Sequence, residues 1–280
     1  MKVDTIAEKL LFTTLRIETA DAAGKNGTGT GFVFSYVHDS QQYPVIVTNK
    51  HVINDAANGW LTFHLMGANG EPQLGSSHRL HVSDFAKAWH GHPDPDIDVA
   101  VMPLAPVLEL LTSGGVTPFL QWVDRTVTAT QQLIDELDAL EDVVFIGYPN
   151  GIWDAKNFLP VSRRGTTATH IAIDFQGKKQ FLLDASVFPG SSGSPVFLFS
   201  KGMYSDRQGN TSIATRLAFL GVIAAVYFRQ DVNHITLVAA PSTGTPVAIA
   251  KEMIDLGVVF KAETVLECIE DWMRARGVKV

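Results

Sequence analysis

The feature that most constrains this chain is a succession of short runs rich in β-branched and aromatic residues, separated by Gly, Asn, Asp and Pro. In the first half they are TLRIETA (14–20), GFVFSYV (31–37), YPVIVTN (43–49), GWLTFHLM (59–66), DVAVMPL (98–104) and DVVFIGY (142–148). ATHIAIDF (168–175), QFLLDAS (180–186), PVFLFS (195–200), LAFLGVIAAVYF (217–228) and HITLVAA (234–240) continue the series. Such runs read as strands, and none is regularly followed by a long amphipathic helix, so a parallel α/β sheet is disfavoured and an all-β architecture expected. Two helices interrupt the pattern. TQQLIDELDAL (130–140) puts Leu133, Leu137 and Leu140 on one face, and a C-terminal segment aligns Val265, Ile269, Trp272 and Met273. Thr264 followed by Glu267 has capping-box spacing, and Cys268 in this helix reads as a small buried hydrophobe.

Composition narrows the function classes. The 280 residues carry a net charge of −7, and the longest basic cluster is the pair Arg163-Arg164, so nucleic acid and anionic membrane are disfavoured as partners. With one cysteine, Cys268, no intrachain disulfide can form, which fits a reducing compartment. Asp4 and Glu8 interrupt what a signal peptide would need as an apolar stretch, and the longest apolar run (220–228) is too short to span a bilayer. The expectation is a soluble, cytoplasmic protein.

Chemistry concentrates in FPGSSGSPVF (188–197), where three serines and two glycines lie between apolar runs. Gly-Ser clusters form turns, but a serine here could be a nucleophile if a base and a group to orient it stand near. His51 opens a turn directly after an apolar strand in VIVTNKHVIND, and Asp98 heads another in HPDPDIDVAVMPL. A half-buried carboxylate at that place can hold an imidazole tautomer and stabilise the imidazolium. The order His51, Asp98, serine excludes an α/β-hydrolase, which runs Ser, acid, His. The alternating His90, His92, Asp94, Asp96 and Asp98 do not make an EF-hand, because the sixth and twelfth positions from Asp94 are Val99 and Ala105. Zinc at His90 and His92 stays open without clear third and fourth ligands. GTGTGF lacks the third glycine and the following helix of a dinucleotide site.

With these blocks in register, the chain resembles a trypsin-like serine peptidase, most of all the bacterial high-temperature-requirement (HtrA, or Deg) type. The resemblance is carried by Gly27-Thr28-Gly29-Thr30-Gly31-Phe32, by Thr48-Asn49-Lys50-His51-Val52, by Asp98-Val99-Ala100-Val101, by Gly147-Tyr148-Pro149, by the run Asp184 to Pro195 and by LGVVFKAE (256–263). It covers roughly residues 10–276.

The resemblance implies two six-stranded antiparallel β-barrels and a C-terminal helix. Residues 1–120 would form the barrel carrying His51 and Asp98, 121–141 a connection with a helix, 142–262 the barrel carrying Ser192, and 263–280 the helix. Ser192 would be the nucleophile, His51 the general base and then acid, and Asp98 the orienting carboxylate. The loop Gly190-Ser191-Ser192 would form the oxyanion hole, with the N–H groups of Gly190 and Ser192 as donors. Ser191 stands where digestive members carry an Asp that pairs with a cut N-terminus, so that activation switch is not available. Ser186, six residues before the nucleophile, replaces the acid that selects Lys or Arg, and Ala225, Val226 and Tyr227 would shape the pocket wall. A small or medium apolar P1 residue is expected.

Ser194 replaces a glycine, and its hydroxyl needs a partner if buried. Because the resemblance runs almost to residue 280, no C-terminal PDZ domain is expected, and the polar loop 200–212 reads as a surface excursion or a regulatory contact. The expected partners are a protein or peptide substrate and, as a further class, a regulatory protein. No cofactor or metal is expected. Two alternatives stay open: a latent or inactive protease-fold binding module, and an esterase using the same triad.

Overall fold

The computed structural model describes residues 1–149, 152–234 and 247–280, with side chains described outside 225–253. Helix α1 (Ile6–Leu11) precedes β1 (Thr14–Asp21), β2 (Asn26–His38) and β3 (Gln41–Thr48). A four-residue helix α2 (Lys50–Ile53) then leads to β4 (Ala56–Met66), β5 (Pro72–Ser83), β6 (His90–Gly91) and β7 (Ala100–Pro103). These strands form one sheet in the order β5-β4-β1-β2-β3-β7-β6, with β8 (Val123–Asp124) parallel to β2. Its apolar face encloses a core that includes Leu15, Ile17, Ile46, Leu61, Phe63 and Phe85. Helix α3 (Ala105–Ser113) contributes Leu111 to the same core, so residues beyond Pro103 still pack with the first half.

The connection that follows carries β8 and α4 (Gln131–Glu136), before the second half begins at β9 (Asp142–Gly147). With β10 (Val161–Thr167), β11 (Gln180–Asp184), β12 (Pro195–Ser200), β15 (Arg216–His234) and β16 (Val247–Lys261) it closes a barrel in the order β10-β11-β16-β15-β12-β9. The hairpin β13 (Tyr204–Ser205) and β14 (Thr211–Ser212) stands apart from it. One of the two expected barrels is thus a closed ring of six strands. The other is an eight-stranded sheet curled around one core, its ladder open among the described residues between β5 and β6.

A third cluster joins the halves. Phe32, Phe34 and Tyr36 of β2 meet Phe197 and Phe219 of the barrel, with the Phe32 and Phe219 ring centroids 5.3 Å apart. Helix α5 (Ala262–Arg274) seals this seam with Val265, Cys268, Ile269, Trp272 and Met273, the apolar stripe expected from its spacing. Each large side chain buried here contributes about 1.5–3 kcal/mol, so the relative position of the halves is firmly fixed.

Several local expectations need correction. ATHIAIDF is not a strand. The strand is the preceding polar run 161–167, while Ile171 is buried from a turn. Polar side chains alternate with partly buried ones along β10, which hides a barrel strand from an apolar-run criterion. Helix α4 ends at Glu136, Leu137 being its C-cap, so Leu140 lies beyond it and is 73% exposed. The capping box forms at Thr5 and Glu8 of α1, not at Thr264. Helix α5 begins after Lys261, so Thr264 sits within its first turn and donates to the Lys261 carbonyl at 2.8 Å. HITLVAA shares only His234 with β15, its other residues lying outside the described ones.

Candidate active site

The site is built on β2. Alternate residues of its glycine run, Gly27, Gly29 and Gly31, face one side of the strand. A Cβ on Gly29 would come within 2.5 Å of Val52, so α2, which carries His51, can lie tight against β2 only because that position is bare. Asn49 occupies the N-cap position of this helix, fully buried, and its side chain is turned to Asp98 instead of the helix, Nδ2 donating to the Asp98 carbonyl at 2.6 Å. Asp98 itself stands two residues before β7. Its Oδ1 accepts from the His51 backbone N–H at 3.0 Å, and its Oδ2 from His51 Nδ1 at 2.5 Å.

Because an ionised carboxylate only accepts, Nδ1 carries the proton and Nε2 is left as an acceptor. Ser192 Oγ lies 2.9 Å from that Nε2. The His51 side chain is 48% exposed and that of Asp98 27%, so the imidazole faces solvent while its carboxylate is sheltered. Asp96, the next acid along the chain, is turned away in an ion pair with Lys178 at 3.1 Å.

Ser192 lies in the turn between β11 and β12. The turn is closed by bonds from the Ser191 N–H to the Phe188 carbonyl at 3.0 Å and from the Ser194 N–H to the Ser191 carbonyl at 2.9 Å. Gly190 has φ +88° and Gly193 φ +85°, the left-handed region that favours glycine. At Gly193 a Cβ would also lie 1.9 Å from the Thr30 carbonyl oxygen. Among the described residues the N–H groups of Gly190 and Ser192 meet no protein acceptor. Ser191 differs: its N–H is spent on Phe188 and its side chain is buried, so it offers no free donor beside those of Gly190 and Ser192.

Thr30, to which the sequence alone assigns no role, ties this turn to the first half. Its N–H donates to the Ser192 carbonyl at 2.9 Å and its Oγ1 to the Gly190 carbonyl at 3.0 Å, while the Tyr148 N–H donates to the same Oγ1 at 2.9 Å. The sequence alone likewise assigns no role to Asn49. The signal for both lay in their place inside the quoted motifs, as polar residues flanked by apolar strand. Ser194 is fully buried, and its hydroxyl has no hydrogen-bond partner among the described residues. It fits only because residue 147 is glycine, where a Cβ would lie 2.0 Å from its Oγ.

Ser186 is exposed, two residues past the end of β11, where the segment that enters the turn begins. The backbones of Ala225 and Val226 pair with Val258 and Gly257, but the side chains of Ala225, Val226 and Tyr227 lie outside the described residues. A cavity of about 260 Å³ adjoins His51, walled by Asp21, Lys25, Asn26 and Asp55. A larger one, about 710 Å³, lies away from these residues, between Glu141, Arg216 and Tyr204. The histidines considered for zinc do not converge. His90 Nε2 is 2.7 Å from Asp271 and His92 Nε2 is 3.3 Å from Glu267, and no group of three or more ligating side chains occurs among the described residues. The 200–212 loop folds as the β13–β14 hairpin, with Arg207 donating to the Asp135 carbonyl at 3.1 Å.

The family model described as a trypsin-like peptidase domain matches residues 29–203. Among solved structures, the chain is similar to the active form of the Rv3671c protease from M. tuberculosis, with 18% identity, 94% of this chain and 82% of that one covered, and a TM-score of 0.46. It is also similar to a scabies mite inactivated protease paralogue (14% identity, 95% and 96% covered, TM-score 0.48). A third is the catalytically active tobacco etch virus protease complexed with product (13% identity, 81% and 73% covered, TM-score 0.45). No curated protein matches the sequence.

Proposed function

Because the chain belongs to the trypsin-like peptidase family, we propose that it is a serine endopeptidase acting through His51, Asp98 and Ser192. The observation that carries this reading is the unbroken line from Ser192 Oγ to His51 Nε2 (2.9 Å) and from His51 Nδ1 to Asp98 Oδ2 (2.5 Å).

Ser192 Oγ attacks the scissile carbonyl while its proton passes to His51 Nε2. Asp98 holds the tautomer and stabilises the imidazolium without taking the proton. The oxyanion accepts from the Gly190 and Ser192 N–H groups, which meet no protein acceptor among the described residues, and removing one such donor typically costs about 2.7–4 kcal/mol of transition-state stabilisation. Collapse of the tetrahedral intermediate breaks the C–N bond, and the leaving amine takes the proton from Nε2. Water then adds to the acyl-enzyme with His51 again as base, releasing the acid and restoring Ser192. A thiolate mechanism has no support at this position, since the single cysteine, Cys268, is buried in α5.

Ser186 brings no negative charge toward the P1 side chain, which supports a small or medium apolar P1 and disfavours Lys and Arg. A panel of fluorogenic peptides and matched esters tests both parts. Fastest cleavage after an apolar residue is expected, fastest cleavage after Lys or Arg overturns the specificity, and turnover of esters alone makes the protein an esterase.

A further inference from the structure

Behind the nucleophile turn lies a guanidinium with no counterion among the described residues. Arg163 on β10 stands opposite Phe145 in the β9–β10 ladder and lies over that ring, 4.6 Å from its centroid, with the Phe188 ring 5.7 Å away. Its Nη1 donates to the Ser186 carbonyl at 2.7 Å, and its Nη2 donates to Ser191 Oγ. Its Nε is buried without a hydrogen-bond partner. Both partners are neutral oxygens, and no carboxylate among the described residues pairs with it. Burial pushes its pKa down to about 10, which leaves it charged at neutral pH.

A cation sheltered without a carboxylate is costly, and an apolar side chain could fill the space between two phenyl rings at less expense. What an apolar side chain could not do is hold two separate acceptors with one rigid planar fork. The two acceptors are not arbitrary. Ser186 begins the segment that enters the turn, and Ser191 immediately precedes Ser192. Between them the chain reverses through the Ser191-to-Phe188 bond and the left-handed Gly190. The fork therefore fixes the span of the loop, while the loop's own bond and Gly190 fix its curvature. Together they set the direction of the two N–H groups that face the substrate carbonyl.

We propose that Arg163 is a positioning residue that holds the 186–191 loop in the form in which the Gly190 and Ser192 N–H groups converge. This rests on the reading of Ser192 as the nucleophile. It assigns the reactive form of the loop to a contact inside the chain, and it links the Ser186 end of the substrate pocket to the oxyanion donors through one side chain.

The test is the second-order rate of labelling by a small fluorophosphonate, which needs the activated serine and the oxyanion donors but little of the pocket. Wild type, Arg163→Ala, Arg163→Lys and Ser191→Ala are compared, with urea unfolding run in parallel. Arg163→Ala should label about 10²–10³-fold more slowly, the range for loss of an oxyanion donor. Arg163→Lys should not recover the rate, because a single ammonium cannot span both acceptors. Ser191→Ala should fall between. Millimolar guanidinium should restore part of the rate in Arg163→Ala and none in wild type, a response that a merely stabilising side chain would not give. A folded Arg163→Ala labelled at the wild-type rate overturns the proposal. If that variant does not fold, Ser191→Ala decides, and wild-type labelling there overturns it equally. Failure of the wild-type protein itself to label removes the serine reading and this inference together, an outcome distinct from any that the variants can produce.

Discussion

The backbone N–H of Thr30 donates to the carbonyl of Ser192 at 2.9 Å, so a strand of the first half is bonded directly to Ser192 of the second. The same strand seats the His51 helix one residue earlier, at Gly29. His51 and Ser192 are 141 residues apart in the chain, yet both take their positions from neighbouring residues of β2. That arrangement explains why the 2.9 Å contact between them needs no flexible reach from either side chain.

Thr30→Val tests the bridge. Valine keeps the branched shape but removes the hydroxyl that donates to Gly190 and accepts from Tyr148. Each buried polar group left alone costs about 1–3 kcal/mol. Urea unfolding should show a loss of that order, and peptide turnover should fall because the Gly190 carbonyl is freed. An unchanged unfolding midpoint would mean that the hydroxyl is dispensable.

Asp98→Asn is expected to lower turnover by about 10⁴ while leaving the fold intact, because an amide can present its NH2 to Nδ1 and favour the wrong tautomer. Steady-state kinetics with a fluorogenic peptide give the ratio. Full activity would take the carboxylate out of the mechanism.

His64 on β4 should make the fold acid-sensitive. It is buried against the edge of Phe12, 5.0 Å between ring centroids, and burial lowers its pKa from 6.5 to about 4, the Phe158 carbonyl opposing only in part. Below pH 6.5 the unfolded chain takes up a proton that the folded chain does not accept until about pH 4. Stability is therefore full above pH 6.5 and is lost as pH falls toward 4, by about 3 kcal/mol for this group. Urea unfolding of wild type and His64→Phe across that window should show a shallower acid limb in the variant. Identical limbs would contradict the assignment.

Cys268 should be inert in the folded protein. Burial raises its thiol pKa to about 12, and Sγ faces the His90 carbonyl at 3.6 Å. A chromogenic disulfide reagent should react with it only once urea unfolds the chain. Rapid reaction in native buffer would show that α5 opens.

Much of this was legible in the amino-acid order, and the reasons are local. Apolar runs such as PVFLFS give central strands because both faces are covered. The C-terminal stripe shows a helix because four apolar positions recur at helical spacing. His51 and Asp98 stand out by their settings beside apolar strands, while the choice of Ser192 among the three serines rests on the resemblance to trypsin-like peptidases. What was hidden depends on partners distant in sequence. β10 is polar on alternate residues and is recognisable as a strand only beside β9 and β11. Thr5 and Glu8 have the same capping spacing as Thr264 and Glu267, and only the actual helix starts distinguish them. Arg163 looks like half of a surface charge pair until its loop acceptors, brought to it by the barrel, are seen.

The measurement that bears most directly on the account is covalent labelling of the purified protein by a fluorophosphonate probe, read by intact mass and repeated with Ser192→Ala and His51→Ala. One adduct on the wild type, mapped to Ser192 and absent from both variants, is the predicted result. No adduct on the folded wild type, or an adduct that survives Ser192→Ala, would contradict it.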